Sequence, residues 1–414
     1  MPRLLRLHFT RPPPQEIALG KPFPLTISLT DDLRVPVSAI TVPLHLRLLD
    51  ARSHTPIPSL TLTLSKPASS FIISPTGQPS ITIDVTITCS KSFRQPKPVC
   101  FHVGVDNAAC VDPTEDGDVE EGVEDLTSGV CEAVGARGVK TDLEGGMRVV
   151  VPLGVYSGEC RVMPAGRDAK GGKVQTNERH FRFQMPRHAN PLSDRLPRTL
   201  PLVIPITEHA HMTFSTGTHI WDCAPILALY LTCHAHSYFP PSCSSTPPRQ
   251  VIELGAGCGL TGITGAVLGG DVVCTDLDNP ADSCLQHNID VGNNIIQTEY
   301  ADTGGKCRAD ILEWGFLDAD IVARLAPPTD GNGKSPLPPL VIAADVLYNV
   351  ASHGVFLDTI TSICAHRPGA EVLVAYKWRG EGEEAFWGSA KGVFEVRRVA
   401  GAVGVGVYNL RYVL

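Results

Sequence analysis

Up to about residue 190, hydrophobic and polar residues alternate along the chain with a period of two. The segments SLTLTLS (59–65) and SITIDVTITCS (80–90) follow this alternation almost strictly, as expected for strands with one buried face. Compatible segments, separated by proline, glycine and serine clusters, are PLTISLT (24–30), TVPLHLRLL (41–49), VCFHVGV (99–105), MRVVVPLGV (147–155) and HFRFQM (180–185). They predict an antiparallel β-sandwich over residues 1–190, immunoglobulin-like or arrestin-like in topology, which we interpret as an interaction or structural module.

From about residue 200, strand-like apolar runs alternate with helical patterns. The strand candidates are VIEL (251–254), VVCTD (272–276), LVIAAD (340–345), EVLVAY (371–376), FEVRRV (394–399) and VGVYNLRYV (405–413). The helical patterns lie near 259–268, 280–291, 353–362 and 381–390. Residues 200–414 are therefore predicted to form an α/β, Rossmann-like domain with a mostly parallel sheet. Only a short glycine-bearing turn separates the last two strands, so they form a hairpin and one terminal strand is antiparallel.

The segment VIELGAGCGLTG (251–262) places a glycine-rich loop between the first of these strands and a helix. One alignment, G-x-G-x-x-G on Gly257, Gly259 and Gly262, is the fingerprint of a dinucleotide site. Another, E-L-G-x-G-x-G starting at Glu253, holds a different nucleoside cofactor. Asp276, at the end of the second strand, is placed to accept hydrogen bonds from ribose hydroxyls. Because NAD and S-adenosylmethionine both carry that ribose, Asp276 does not discriminate between them.

Charge and cysteine content narrow the class of protein. The net charge is −8, and the segment DPTEDGDVEEGVED (112–125) alone contains eight acids and no base. We predict that it is a disordered acidic loop; a contact for a basic partner is the alternative. The sequence has no stripe of lysine and arginine residues of the kind that indicates nucleic-acid binding. The 13 cysteines are scattered without a C-x-x-C pair, which is typical of reduced thiols in a cytosolic protein and gives no metal site.

The length of 414 residues predicts two domains. No apolar stretch reaches the roughly 18–20 residues that a membrane helix needs, and the start MPRLLRLHFTRPPP meets prolines before any signal-peptide core develops. We therefore expect no membrane association and a cytoplasmic protein, with the nucleus as a second location. A monomer is the expected oligomeric state.

Four segments of the second half together resemble a known family. They are GTHIWDCAPILALYL (217–231), ELGAGCGLTGI…TDLDN (253–279), ILEWG (311–315) and AADVLYN (343–349), in this order. They resemble the seven-β-strand (class I), S-adenosylmethionine-dependent protein-lysine methyltransferases of the methyltransferase-like 21 or family 16 type. Known members modify chaperones, AAA-type ATPases and translation elongation factors. The small members lack an N-terminal β-rich domain, which weakens any analogy of substrate.

The resemblance assigns the cofactor S-adenosylmethionine to the glycine loop. It implies that Gly255 and Gly257 carry the methionine end, and that Glu253 lies beneath them and organises the loop. Asp276 takes the ribose. A carboxylate, like a phosphate, suits the free N–H groups at a helix N-terminus.

The same resemblance implies the remaining site residues. Trp221 resembles an aromatic that closes over the cofactor, and Trp314 would meet the adenine. Ala344 would line the methyl-transfer channel. Asp345 and Tyr348, which match the family's D-x-x-Y, would be the catalytic residues and orient the acceptor amine. Each has a simpler alternative: the tryptophans as core aromatics, Asp345 as a helix N-cap and Tyr348 as a surface or capping residue.

The reaction implied is the methylation of a lysine side chain of a protein. Methyl transfer from a sulfonium needs alignment rather than a metal. Nucleobase methyltransferases that resemble this fold carry N-P-P-Y or D-P-P-Y where this chain has D-V-L-Y (345–348), which argues against DNA or RNA. The alternatives are methylation of a small-molecule amine, or a protein-binding module with a silent cofactor site.

Overall fold

The structure is a computed structural model. It describes residues 3–30, 44–65, 80–105, 123–126, 139–143, 146–153, 155–157, 159–163, 176–183, 202–209, 216–240, 247–277, 284–303, 305–326, 337–380 and 382–413. The chain divides into two compact units: residues 1–118, 134–180 and 207–214 form one, and residues 119–133, 181–206 and 215–414 form the other. In the described ranges no helix has the length and apolar character required to cross a bilayer, and no disulfide joins the described cysteines.

The N-terminal region is built from two sheets. Its strands are β1 (Arg3–Arg11), β2 (Glu16–Ala18), β3 (Phe23–Thr30), β4 (Leu44–Asp50), β5 (Leu60–Leu64), β6 (Ser80–Cys89), β7 (Lys97–Val105), β9 (Val139–Leu143), β10 (Gly146–Leu153), β11 (Val155–Ser157), β12 (Cys160–Met163), β13 (Thr176–Phe183) and β14 (Leu202–His209), with β8 (Glu124–Asp125) belonging elsewhere. One sheet has the order β5-β6-β3-β1-β10-β9; the other has the order β14-β13-β11-β7-β12-β2, with β4 also paired to β7.

The two sheets share one hydrophobic core, which confirms the predicted sandwich. Leu7 and Ile27 of the first sheet and Phe101 and Val155 of the second lie fully buried in a single cluster. Two strand pairs, β1 with β10 and β2 with β12, are parallel, so the sandwich is not purely antiparallel as predicted. A buried ion pair joins the neighbouring strands β13 and β14 of the second sheet. Arg179 Nε lies 2.7 Å from Glu208 Oε1, and both side chains are at most 1% exposed.

The C-terminal unit contains a Rossmann-like sheet. Its strands are β15 (Gln250–Leu254), β16 (Asp271–Asp276), β17 (Lys306–Ile311), β18 (Leu340–Ala344), β19 (Glu371–Lys377), β20 (Phe394–Ala402) and β21 (Val405–Tyr412). Its helices are α1 (Cys223–Cys233), α2 (Ala235–Tyr238), α3 (Leu260–Val267), α4 (Cys284–Glu299), α5 (Ala319–Leu325), α6 (His353–His366) and α7 (Ala385–Ala390). Short 3₁₀ turns cover Thr216–Thr218, Ala301–Thr303 and Val350–Ser352.

The strand order is β17-β16-β15-β18-β19-β21-β20. Five strands are parallel, and β21 pairs antiparallel with both β19 and β20, so the predicted seven-stranded sheet with an antiparallel last strand is confirmed. After β15 the chain builds outwards to β16 and β17, then returns to place β18 on the other side of β15. This reversal opens a crevice at the carboxyl ends of β15 and β18, where open α/β sheets bind ligands.

An eighth strand extends this sheet. β8 pairs parallel with β20, with Glu124 opposite Ala400 and Asp125 opposite Gly401. The amide of Leu126, a buried residue, donates to Gly401 O at 2.9 Å. The predicted disordered acidic loop is therefore wrong at residues 124–125, because backbone pairing and a buried leucine fix that end; residues 112–122 lie outside the described part of the chain.

Candidate active site

The glycine loop after β15 has a backbone that only glycine adopts readily. Gly255 and Gly257 have φ of 67° and 55°, in the left-handed region that side chains disfavour. A Cβ on Gly255 would approach Val346 Cγ1 to 2.9 Å and the Trp314 ring to 3.3 Å. The loop is therefore packed closely on the residues that follow β17 and β18, and its backbone faces the crevice ahead of α3.

Glu253, the fourth residue of β15, contacts the first turn of α3, which follows this loop; its role in organising the loop stays a prediction. Its side chain is buried, and Oε2 accepts a hydrogen bond from the Gly262 amide at 3.1 Å. Burial raises the pKa of the Glu253 carboxyl to about 7, although hydrogen bonds from Cys274 and from the Gly262 amide act to lower it. A Cβ at Gly262 would lie 2.4 Å from Glu253 Oε2, so the third glycine of the dinucleotide pattern has a packing role here.

Asp276 joins the end of β16 to the glycine loop. Its Oδ2 accepts from the Gly257 amide at 2.7 Å, and its Oδ1 accepts from the Leu277 amide at 2.8 Å. A carboxylate oxygen accepts more than one hydrogen bond, so this half-buried group can accept from a further donor while it holds the loop; its contact with ribose hydroxyls stays a prediction. The geometry fits a nucleoside cofactor.

The segment Thr216–Trp221 lies over the same loop. Trp221 Nε1 donates to Thr216 O at 3.0 Å, and the Thr216 hydroxyl lies 3.1 Å from Tyr348 Oη. Cys258 Sγ donates to Gly217 O at 3.6 Å. These contacts bring Trp221, Tyr348 and the glycine loop together, although the residues are separated by up to 132 positions in the sequence.

Trp314 is half-buried beside Gly255. Its ring packs edge-on against Phe356, with centroids 5.2 Å apart. Thr359 fixes the adjoining backbone, since its hydroxyl accepts from the Gly315 amide at 2.8 Å and donates to Val355 O at 2.8 Å. The structure thus places Trp314 at the wall of the crevice with part of its ring in the core; its contact with adenine stays a prediction.

Ala344 and Asp345 leave β18 at the opposite wall. Ala344 is paired with Ala375 of β19. Asp345 is buried and has a φ of 65°, a left-handed conformation that costs a non-glycine residue about 1 kcal/mol. It is not a helix N-cap, because Asn349 performs that function for the next turn by accepting from the Ala351 amide at 3.1 Å.

The Asp345 carboxylate is held by a residue that the sequence analysis missed. Both of its oxygens accept from the guanidinium of Arg379, with Oδ2 2.5 Å from Nη2. The same guanidinium lies 5.7 Å from the centre of the Trp221 ring. A bidentate pair of this kind is strong and fixes orientation, so Arg379 belongs to the candidate site.

Two further buried acids anchor the exit of β19. Lys377 Nζ lies 2.6 Å from Asp222 Oδ2, and Glu383 accepts from Tyr376 Oη at 2.8 Å and from the Arg379 amide at 3.0 Å. The run EGEE (381–384) resembles a solvated helix start in the sequence, but Glu383 is only 4% exposed. The pattern Y-K-W-R (376–379), which spans the end of a buried strand, was the available signal for these contacts.

Comparisons with known proteins agree with this geometry. A family model described as "Lysine methyltransferase" matches residues 203–393. The mouse (Mus musculus) EEF1A lysine methyltransferase 3 is 29% identical over 44% of this chain and 65% of its own length. Protein-lysine N-methyltransferase rrg1 of Schizosaccharomyces pombe is 34% identical over 33% of this chain and 39% of its own. Histone-arginine methyltransferase METTL23 of Xenopus laevis is 28% identical over 39% of this chain and 58% of its own.

The chain thus spans less than two thirds of each of these three relatives. The family match supports S-adenosylmethionine as the cofactor, and the oriented Asp276, the glycine loop and the aromatic residues around it fit that molecule. Residues 203–393, just under half of the chain, are therefore similar to the lysine methyltransferase family, and they contain the glycine loop, Asp276 and Asp345 described above.

Proposed function

We propose that the C-terminal unit is an S-adenosylmethionine-dependent N-methyltransferase that modifies a lysine side chain of a protein. Gly255, Gly257 and the N-terminus of α3 would hold the methionine end of the cofactor, and Asp276 the ribose. Trp314 packs against Gly255, and Trp221 belongs to the segment whose Gly217 lies against Gly257. When bound, the cofactor supplies an activated methyl group on sulfur, and the chain's residues align the acceptor with it, which can contribute about 7–11 kcal/mol.

The acceptor must lose a proton before it reacts. Lysine has a pKa near 10.4, so only roughly one side chain in a thousand is neutral around neutral pH. A narrow site with buried walls disfavours the ammonium and lowers that pKa. The walls at the exit of β18 are of this kind, since Asp345, Val346 and Leu347 are all buried.

Asp345 and Tyr348 would position the amine. Tyr348 is half-exposed and its hydroxyl contacts Thr216, so it lies at the rim. Asp345 lies deeper, and its carboxylate forms an ion pair with the guanidinium of Arg379. We propose that Asp345 orients the amine through an oxygen that stays on Arg379, so that the buried carboxylate is charged and rigid when the acceptor enters.

Exposed apolar side chains around the crevice carry the assignment to a protein acceptor. Leu277 follows β16, Phe316 follows β17, Tyr348 follows β18 and Trp378 follows β19; these side chains are 65%, 83%, 50% and 62% exposed. Because the carboxyl ends of parallel strands meet at one edge of a sheet, we expect these side chains to surround the same opening. Large exposed apolar patches mark surfaces that bind other macromolecules, and a small amine would not need one.

An arginine side chain is the second candidate acceptor. Asp345 already holds a guanidinium, that of Arg379, through both oxygens, which shows that the site has a matching fork. One of the relatives is named as a histone-arginine methyltransferase. An arginine substrate would have to displace Arg379, so we favour lysine. A chaperone, an AAA-type ATPase and an elongation factor remain the substrate classes to examine, and a cytoplasmic or nuclear monomer remains a prediction.

The test is incubation of the full chain with radiolabelled S-adenosylmethionine and a cell lysate, with Asp276→Ala as the inactive control. A discrete labelled protein whose modified residue is lysine by mass spectrometry supports the proposal. Modified arginine supports the second candidate. Label only in the small-molecule fraction, or binding of S-adenosylhomocysteine without any transfer, would overturn the protein methyltransferase.

A further inference from the structure

A cluster of two histidines and a glutamate lies in the N-terminal unit. His180 Nε2 lies 2.6 Å and His54 Nε2 lies 3.3 Å from the same oxygen, Oε1 of Glu178. Their ligand atoms all fall within 4.8 Å of one another. The three side chains are between 12% and 28% exposed, so the cluster is accessible from solvent but largely enclosed by protein.

The fold brings these residues together from two places. Glu178 and His180 are two positions apart on β13, and therefore lie on one face of the strand. His54 comes from the loop between β4 and β5, 124 positions earlier. It has a φ of 52°, an unusual conformation for histidine.

Asp50 stabilises this conformation of the loop. Its Oδ1 accepts from the amides of Arg52 and Ser53 at 2.9 and 3.0 Å, and its backbone oxygen accepts from the His54 amide at 2.9 Å. The loop therefore holds His54 in a left-handed conformation whose side chain points at Glu178. Such strain, held in place by surrounding contacts, is characteristic of functional positions.

Aromatic packing fixes the two imidazole rings. Tyr156 is paired directly opposite Glu178 in the sheet. Its ring stacks on His180 with centroids 4.3 Å apart and lies edge-on to His54 at 4.9 Å. The rings of His54 and His180 are perpendicular to each other, with centroids 4.5 Å apart. Both Nε2 atoms are thus held towards one point, with little rotational freedom to lose on binding a ligand.

Two imidazole nitrogens and a carboxylate oxygen are the ligands of a borderline divalent metal such as zinc. In a tetrahedral site with bonds of about 2.0 Å, ligand atoms lie about 3.3 Å apart. The His54–Glu178 separation of 3.3 Å already has this value, and the His180–Glu178 separation of 2.6 Å would have to widen by about 0.7 Å to reach it. We propose that His54, Glu178 and His180 form a zinc-class metal site, with the fourth position open towards solvent.

The three residues lie in the compact unit that does not contain the candidate active site. Metal binding would tie the β4–β5 loop to β13 and stabilise the N-terminal unit. The metal site is difficult to predict from the sequence, since the motif E-x-H at 178–180 is short and His54 lies far from it in the chain.

The test is a Co²⁺ titration of the full chain after treatment with a chelator, with Zn²⁺ as competitor. We expect one equivalent to bind with the visible bands of a tetrahedral site and without the charge-transfer band of a thiolate, which separates this cluster from the cysteines. His54→Asn and His180→Asn should each weaken binding at least about tenfold. Asparagine tolerates the left-handed conformation, so the first variant leaves the loop intact.

His45→Asn is the matched control, because His45 lies on β4 outside the cluster and its loss should leave Co²⁺ affinity unchanged. Zn²⁺ should also raise the unfolding temperature of the parent chain and not that of the His54→Asn variant. Equal binding by the parent and by the double variant His54→Asn/His180→Asn would overturn the proposal, as would a thiolate spectrum. Circular dichroism on the double variant verifies that it is folded.

Discussion

Asp345 and Arg379 form a bidentate ion pair at the point where β18 and β19 end. Their side chains are 3% and 9% exposed. The pair connects the strand exits that flank the crevice, and it makes the expected catalytic carboxylate a charged, fixed group rather than a mobile one. Breaking a buried pair by removing one partner costs about 3–5 kcal/mol, so stability and activity have to be measured together in any variant of either residue.

Asp345→Asn should reduce kcat/KM for the protein acceptor at least about 100-fold, because the amine loses its charged positioning group. The affinity for S-adenosylhomocysteine, measured by calorimetry, should stay within about threefold of the parent, since Asp276 and the glycine loop are untouched.

The companion variant for that measurement is Arg379→Lys, which keeps a cation but loses the planar fork. It should retain a larger part of the activity than Asp345→Asn. Transfer by Asp345→Asn at the parental rate would show that the acceptor is held elsewhere.

Asp276→Ala should weaken S-adenosylhomocysteine binding about 10- to 100-fold or more. It removes the acceptor of the Gly257 amide and the predicted ribose contact, and a hydrogen bond to a charged group contributes about 1.5–3 kcal/mol. Asp271→Ala, at the other end of β16, is the control and should bind normally. Equal losses in both variants would point to general damage of the sheet instead.

Glu253 should make the stability of the C-terminal unit depend on pH. Its pKa is raised from an ordinary 4.5 to about 7 in the folded chain, so the folded state binds more protons between these values and its stability should fall as the pH rises from about 5 to about 7.5. In Glu253→Gln, which cannot ionise, the drop in unfolding temperature between pH 5 and pH 8 should be smaller than in the parent. An unchanged drop would exclude Glu253 as its source.

Phe316→Ser and Trp378→Ser should raise KM for a protein substrate and leave cofactor affinity unchanged, because both side chains belong to the exposed apolar surface around the crevice. Val413→Ser is the control: it is 59% exposed but follows the antiparallel β21, at the opposite edge of the sheet. A rise in KM for Val413→Ser equal to that for Phe316→Ser would contradict the proposed docking surface.

Glu208→Ala should destabilise the N-terminal unit by about 3–5 kcal/mol, since it leaves the guanidinium of Arg179 buried without its carboxylate. Denaturant unfolding measures the loss. The double variant Arg179→Met/Glu208→Leu should recover most of it, because it removes the remaining charge; a double variant as unstable as the single one would mean that shape, not charge, is decisive.

The periodicity of the sequence predicted best those strands of the C-terminal unit that are buried on both faces. β15 is buried throughout and β18 at all but its last residue, and both were predicted almost to the residue. β17 was missed because Lys306, Arg308 and Asp310 alternate along an edge strand. β1 was also missed, although Leu7 and Phe9 alternate as core positions, because this segment was interpreted only with respect to a signal peptide.

The candidate site was predictable where its residues fall in one local motif. The glycine loop and Asp276 lie in a single segment, and the structure brings them together by hydrogen bonds. Arg379 was not predictable, because its partner lies 34 positions away and an arginine after a strand has many possible roles. The pairing depends on β18 and β19 being neighbours, which only the fold provides.

The strand β8 gives the acidic segment an architectural function. Without Glu124, Asp125 and the buried Leu126, the outer edge of β20 at Ala400 and Gly401 would present unpaired amides and carbonyls to other molecules of the protein, a recognised route to intermolecular β-pairing and aggregation. A truncated version that starts near residue 200, chosen to study catalysis in isolation, would discard this guard strand. Loss of solubility in such a truncation would then indicate that the edge of β20 is unpaired. Addition of a peptide with residues 119–133 would be the first way to restore the pairing.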